Sequence, residues 1–167
     1  MQTHHTNKKK IVTKVFNEVF HKYDLMNDLM SLGIHRIWKK NFIHWLNPQK
    51  NTILIDVASG TGDIAKLYLN KINYKGCVYC VDSNKGMLDL NKKKMKNNHN
   101  IRWFHSSAEK LPFKNNYFDY YTISFGIRNV NNINQALKEA YRVLKPGGRF
   151  LCLEFSKGNF SALLQNH

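Results

Sequence analysis

Apolar residues recur along this chain in two rhythms. Over residues 11 to 46 they fall at helical spacing. Val12, Val15, Phe16, Val19 and Phe20 come first, then Leu25, Met26, Leu29, Met30 and Leu32. After Gly33 a further set follows, at Ile37, Trp38, Phe42, Ile43, Trp45 and Leu46. Residues three and four apart share one face of a helix. The spacing predicts helix up to Gly33 and a second helix from near His35, stopped by Pro48. From residue 52 the rhythm changes to short apolar runs bounded by turn residues. ILIDV (53–57), CVYCVD (77–82), IRWFH (101–105), FDYYTISF (118–125) and RFLCLEF (149–155) predict strands. Helical spacing returns between them, over 62–71, 84–97 and 132–144, and KPGG predicts a turn before the last strand. Strands alternating with helices imply an α/β fold with a mainly parallel sheet, helices on both faces and right-handed crossovers. Ligands of such sheets sit at the carboxyl ends of the strands.

Two of those ends carry chemistry. ILIDVASGTGD runs from a strand through Asp56 into a glycine turn, and VYCVDSN ends its strand at Asp82. Gly60 and Asp82 are 22 positions apart, the spacing of a nucleotide-binding turn and the carboxylate that holds a ribose. Gly60 and Gly62 let the backbone approach a ligand with no Cβ in the way. A bare left-handed turn would explain both glycines, but not acids at two strand ends. GTGDIA also fits the dinucleotide pattern G-x-G-x-x-A. Asp56, however, would repel a pyrophosphate, and no Lys or Arg follows the turn until Lys66. A ligand with a sulfonium and an ammonium suits an acidic mouth. S-adenosyl-L-methionine is such a ligand, and the resemblance given below joins the acidic mouth in making it the expected cofactor. Ser107 and Ser124 fall at or just past further strand ends.

The 167 residues suit one domain, and no apolar run approaches the ~18 residues of a membrane span. The formal charge is +15, carried mostly by Lys, with five Arg. Scattered Lys reads as a solvated surface, or as attraction to an anionic membrane surface. Nucleic-acid binding is not expected, since no RNA-binding motif is visible. Cys77 and Cys80 lie three apart in a strand and so point to opposite faces. They cannot share a metal or a disulfide there. Together with Cys152 they are read as small core residues in a reducing compartment. His4 and His5 have no convincing ligand partners, and no metal site is expected. Residues 1–10 are expected to be a disordered or targeting segment.

Several stretches resemble a family of methyltransferases. They are VFNEVFHKYDLMNDLMSLGIHRIWK (15–39), DVASGTGD (56–63), AEKLPF (108–113), TISFGIRNV (122–130) and YRVLKPGGRFLCLEFSK (141–157). The family C-methylates the quinol ring in ubiquinone and menaquinone biosynthesis. The resemblance implies a Rossmann-like class I methyltransferase core over 51–157, an amino-terminal helical lid over 11–50 and a short tail at 158–167. It implies cofactor contacts at Thr61, Asp82, Ser107, Ala108 and Ser124, beside the Asp56, Gly60 and Gly62 already singled out. Arg128, just past the methyl-donor strand, is the candidate catalytic group, because a cation there would stabilise a ring oxyanion. A salt bridge pinning the loop is the competing role for it. Tyr23, Asp24 and His35, with Met26 and Met30, are expected in the lid over the quinol pocket, although a Met and Leu stripe is also ordinary core.

The resemblance further implies a lipid quinol as substrate, and leaves open a peripheral membrane contact, a quinone-synthesis complex or a homo-oligomer. It implies the matrix side of the inner mitochondrial membrane in a eukaryote and the cytoplasm in a bacterium. Family members continue past LEFSK with further helices and strands. This chain is therefore expected to be a truncated form with the last strands missing, RFLCLEF as an uncovered edge and a tendency to self-associate. Two other functions stay open. One is a non-catalytic, cofactor-binding fragment in a quinone-synthesis complex. The other is a small-molecule methyltransferase with another acceptor. Amine methylation usually brings an N-P-P-Y-type motif where this chain has SFGIRN.

Overall fold

In a computed structural model that describes residues 34–155, five parallel strands form one sheet. They are β1 (Thr52–Val57), β2 (Gly76–Asp82), β3 (Ile101–His105), β4 (Phe118–Ser124) and β5 (Leu144–Leu153), in the spatial order β3-β2-β1-β4-β5. The helices are α1 (His35–Leu46), α2 (Asp63–Lys71), α3 (Lys85–Lys94) and α4 (Ile133–Val143), with a 3-10 turn at Ile127–Asn129. The order reverses at β1, so the gap between β1 and β4 is the switch point where such sheets take ligands. The readings for residues 1–33, including the expected disordered or targeting segment 1–10 and Tyr23, Asp24, Met26 and Met30, lie outside the described residues, as does the tail.

The apolar runs are nearly continuous because both faces of a parallel sheet are covered. Leu54, Val78, Cys80, Ile101 and Tyr120 face Phe42, Ile43 and Leu46 of α1 and Ile64, Ala65, Tyr68 and Leu69 of α2. Ile55, Val57, Tyr79, Val81, Phe118, Tyr121 and Ile123 face Ala136, Ala140 and Val143 of α4. Burial of these side chains drives the fold, at ~25 cal/mol per Å² of apolar surface. Asn84 caps α3 by accepting the N–H of Met87, and Asn132 caps α4 by accepting that of Gln135. α1 ends at Asn47, whose φ of 44° is left-handed, one residue before Pro48. Its Ile37 and Trp45 are exposed rather than core.

Two expectations need correction. KPGG does not separate α4 from the last strand. β5 begins at Leu144, opposite Phe118, and the register resumes at Tyr120 opposite Arg149. Lys145 to Gly148 are thus absorbed as a bulge, because the sheet gains a pairing at Leu144 that a clean turn would lose. Lys145 Nζ donates to Asp119 Oδ1 at 2.6 Å, and Asp119 Oδ2 accepts the Ile53 N–H at 2.8 Å. The second correction concerns Cys152, which is exposed. Leu151 and Leu153 of β5 turn toward the α1 and α2 side, which leaves Phe150 and Cys152 on the less covered face. Cys80 is buried as expected, and Cys77 packs on the opposite face from it.

Candidate functional site

A cleft of about 290 Å³ opens at the carboxyl ends of β1, β2 and β4. Asp56 forms its floor. Alternation along β1 turns this side chain into the sheet face beneath α1 and α2, and it is 1% exposed. Thr122 Oγ1, its neighbour on β4, donates to Asp56 Oδ1 at 2.8 Å. Burial pushes the carboxyl up to about 7, against the Thr122 hydrogen bond and the charge of Lys39, which pull it down. Asp56 Oδ2, Ser59 Oγ and Ser124 Oγ are buried with no hydrogen-bond partner among the described residues. All three residues line the cleft. Buried polar atoms are nearly always paired, so three orphans at one cavity fit a polar ligand.

The glycine turn forms the next wall. Gly60 has a φ of 48°, and a Cβ there would meet nothing nearer than 3.9 Å. The backbone conformation, not crowding, selects glycine at this position. Gly60 N–H donates to Asp82 Oδ2 at 2.9 Å, and Asn84 N–H donates to Asp82 Oδ1 at 2.9 Å. The buried amide of Asn91 on α3 donates to the Gly60 carbonyl. Asp82 therefore braces the turn, while each carboxylate oxygen keeps a free lone pair. Gly62 serves differently. A Cβ there would lie 2.7 Å from Met95 Cε and 3.1 Å from Trp103 Cη2, so it permits close packing behind the cleft rather than lining it.

Ser124, Phe125 and Gly126 make the opposite wall. Phe125 N–H donates to the Leu153 carbonyl at 2.7 Å, which ties the end of β4 to β5. Gly126 packs on the glycine turn: a Cβ there would lie 2.4 Å from Ala58 Cβ. Lys39 reaches in from α1, and its Nζ donates to Asp63 Oδ2 at 3.0 Å. Burial pushes the Asp63 carboxyl up. The charge and hydrogen bond of Lys39, a hydrogen bond from Thr61 and the charge of Lys66 together outweigh that and hold it below the usual carboxylate range.

The structure brings Asp56, Gly60, Thr61, Asp82 and Ser124 together in the cleft lining. Ser107, Ala108 and Arg128 are outside that lining. The Ser107 hydroxyl bonds to Glu109, and Ala108 is buried in the α4-side core. The neighbouring Ser106 N–H donates to the Asp82 carbonyl at 3.1 Å, which keeps this segment beside the β2 end. Arg128 Nη1 is 3.1 Å from Glu154 Oε1, and its guanidinium carbon lies 5.5 Å from the Phe155 ring centre. Its partners match the loop-pinning role. His35 is buried and does not line the cleft. The sequence reading missed Lys39, Ser59, Asp63, Phe125 and Asn129. Asp63 lay in plain view as the last residue of GTGD, whereas Lys39 is brought in by tertiary packing from 24 positions upstream. Among the described residues, no group of three or more His, Cys, Asp or Glu side chains is placed to hold a metal ion. Nor is any helix among them long and apolar enough to cross a membrane.

The family model described as the ubiE/COQ5 methyltransferase family matches residues 2–167. A Rickettsia prowazekii relative, named ubiquinone/menaquinone biosynthesis C-methyltransferase UbiE, is 52% identical over 92% of this chain and 64% of its own length. A Dictyostelium discoideum relative, named 2-methoxy-6-polyprenyl-1,4-benzoquinol methylase, mitochondrial, is 46% identical over 90% of this chain and 58% of its own length. The chain thus spans less than two thirds of the length of these curated relatives. Among solved structures, a SAM-dependent methyltransferase from Aquifex aeolicus superposes with a TM-score of 0.67 at 20% identity, over 72% of this chain and 65% of that one. The YcgJ protein of Bacillus subtilis gives a TM-score of 0.65 at 25% identity, over 72% and 51%. Both share the doubly wound core seen here.

Proposed function

Because the chain belongs to the ubiE/COQ5 methyltransferase family, we propose that its cleft binds S-adenosyl-L-methionine. We further propose that the protein serves C-methylation of a demethyl benzoquinol or naphthoquinol ring in ubiquinone or menaquinone synthesis. The observation that carries the reading is the orphaned pair of Asp56 Oδ2 and Ser124 Oγ beside Asp82. An ammonium supplies the donors that Asp56 lacks, and ribose hydroxyls suit the free lone pairs of Asp82. Ser107 and Ala108 are assigned to the adenine end, since they follow the segment tied to the β2 terminus. Thr61, in the turn, is assigned to the methionine end.

When bound, the cofactor supplies an electrophilic methyl group on its sulfonium. The residues of the chain then have to hold donor and acceptor in line, which can supply ~7 to 11 kcal/mol. Arg128 is assigned to the ring hydroxyl, where a cation favours the phenolate and so the electron-rich ring carbon. Its guanidinium is paired with Glu154, so this role requires the acceptor hydroxyl to join or replace that pair. The lipid quinol is the proposed partner, and the +15 charge supports contact with an anionic membrane surface. The proposed location is the matrix side of the inner mitochondrial membrane in a eukaryote and the cytoplasm in a bacterium.

Calorimetry with S-adenosyl-L-methionine, beside a methyl-transfer assay with a demethyl quinol, tests both halves. Binding and turnover are expected. Binding with no transfer to any demethyl quinol would leave a cofactor-binding protein without this activity. No binding would remove the reading altogether.

A further inference from the structure

Among the described residues, three acids and a single cation line the cleft: Asp56, Asp63 and Asp82 against Lys39. The cofactor reading gives work to Asp56 and Asp82, but says nothing of the Lys39 and Asp63 pair. Lys39 is an unusual lysine. Its side chain is only 12% exposed, although it comes from α1, a helix with much of its outer face in solvent. Holding an ammonium that far from water is unfavourable unless it is paired. Asp63 pairs it at 3.0 Å, from the first turn of the helix that follows the glycine turn. The ammonium is therefore fixed at the cleft wall rather than free to swing outward.

We propose that Lys39 is the carboxylate-recognising residue of this cleft, and that it selects ligands whose amino-acid end carries both an ammonium and a carboxylate. The inference rests on the cofactor reading above and adds the residue that answers the negative end. An amino-acid group bears opposite charges on one carbon. A cleft that offered Asp56 and Ser124 alone would satisfy the ammonium and leave the carboxylate facing acids. Lys39 and Asp56 line the same cleft, and Lys39 is near enough to pull the Asp56 carboxyl downward. The two thus form a dipolar pair that matches the dipolar ligand. The ammonium of Lys39 has three donors, so it keeps Asp63 while donating to a ligand carboxylate. Asp63 is then a positioning residue: it holds Lys39 in place and leaves a donor to spare. Since Lys39 sits on α1, ligand carboxylate binding also ties that helix to the sheet end.

Binding of two ligands tests this, with no need for turnover. One is S-adenosyl-L-methionine, and the other is its decarboxylated form, which keeps the sulfonium and the ammonium. Three carboxylates against one ammonium would by themselves favour the more cationic decarboxylated ligand. The unmodified chain is instead expected to bind S-adenosyl-L-methionine at least ~10-fold more tightly, as a charge-assisted hydrogen bond provides. In Lys39→Met that ratio should fall to about 2-fold or less, with the loss confined to the carboxylate-bearing ligand. Lys39→Arg should keep the preference. Equal binding of the two ligands by the unmodified chain overturns the inference, whether or not any variant folds. So does a Lys39→Met variant that retains the full preference. If the unmodified chain binds neither ligand, the cofactor reading fails and this inference fails with it.

Discussion

The carboxylate of Asp82 accepts the backbone N–H of Gly60 at 2.9 Å, so the acid that ends β2 and the turn that follows β1 are hydrogen bonded to each other. The same carboxylate accepts the N–H of Asn84 at the start of α3. Asp82 thus shapes the cleft as well as facing it. Asp82→Ala should weaken S-adenosyl-L-methionine binding by ~2 kcal/mol or more and cost a further ~1 kcal/mol or more of stability. Calorimetry and thermal melts measure the two separately. NADH should show no binding to either protein. A variant with unchanged cofactor affinity would remove Asp82 from the site.

Asp56 gives a prediction with a sign. Its carboxyl is raised to about 7 in the folded chain, from an ordinary 3.8, chiefly by burial. Between those values the folded state holds a proton that the unfolded state has released. This group therefore lowers stability as pH rises from about 4 to about 7, and the full penalty stands above 7. Asp56→Asn should raise the ligand-free stability at pH ~8, by on the order of 2–4 kcal/mol at most. The same variant should lose cofactor affinity, because the amide carries no charge to meet an ammonium. In the parent, affinity should climb as pH rises from about 5.5 to about 7.5, and in the variant that climb should vanish.

Arg128 separates chemistry from structure. Its ion pair with Glu154 is partly exposed, with side-chain exposures of 35% and 17%, so it contributes only ~0–1 kcal/mol to stability. Arg128→Lys should leave folding and cofactor affinity nearly unchanged, and should lower methyl transfer because the planar fork is lost. Wild-type turnover in that variant would end the electrostatic role. A large loss of stability would favour loop pinning instead.

Two glycines of the cleft should both be costly to replace, for different reasons. Gly126→Ala places a methyl 2.4 Å from Ala58 Cβ, so the β4 end and the glycine turn must move apart. A cost of ~1–3 kcal/mol and weaker cofactor binding are expected. Gly60→Ala meets open space, and only the φ of 48° opposes it, at ~1–2 kcal/mol. Its ligand affinity should fall through the altered turn rather than through collapse of the wall. Paired melts and titrations of both variants distinguish the two mechanisms.

The strand pattern was readable because a parallel sheet covered on both faces leaves nearly unbroken apolar runs, and because Asp56 and Asp82 interrupt those runs at their ends. The β5 start was not readable. Pro146 and two glycines look like punctuation in one dimension, and only the pairing of Leu144 with Phe118 shows that the sheet continues through them. Cys152 was misplaced for a related reason: alternation gives the face of a residue, not how well that face is covered. Asp63 was legible in the glycine motif. Lys39 and the Arg128–Glu154 pair were not, since their partners lie 24 and 26 positions away, on elements whose approach no local pattern encodes.

The bonds that close the amino end of the sheet, Asp119 with Ile53 and Lys145, stand at the opposite pole from the cleft. Robustness and ligand handling are therefore decoupled along the strand axis. Thermostabilising substitutions introduced around the Lys145–Gly148 bulge should be nearly silent in titrations. That end of the molecule is accordingly the natural place to attach a surface tether or a fluorescent reporter without disturbing what the other end binds.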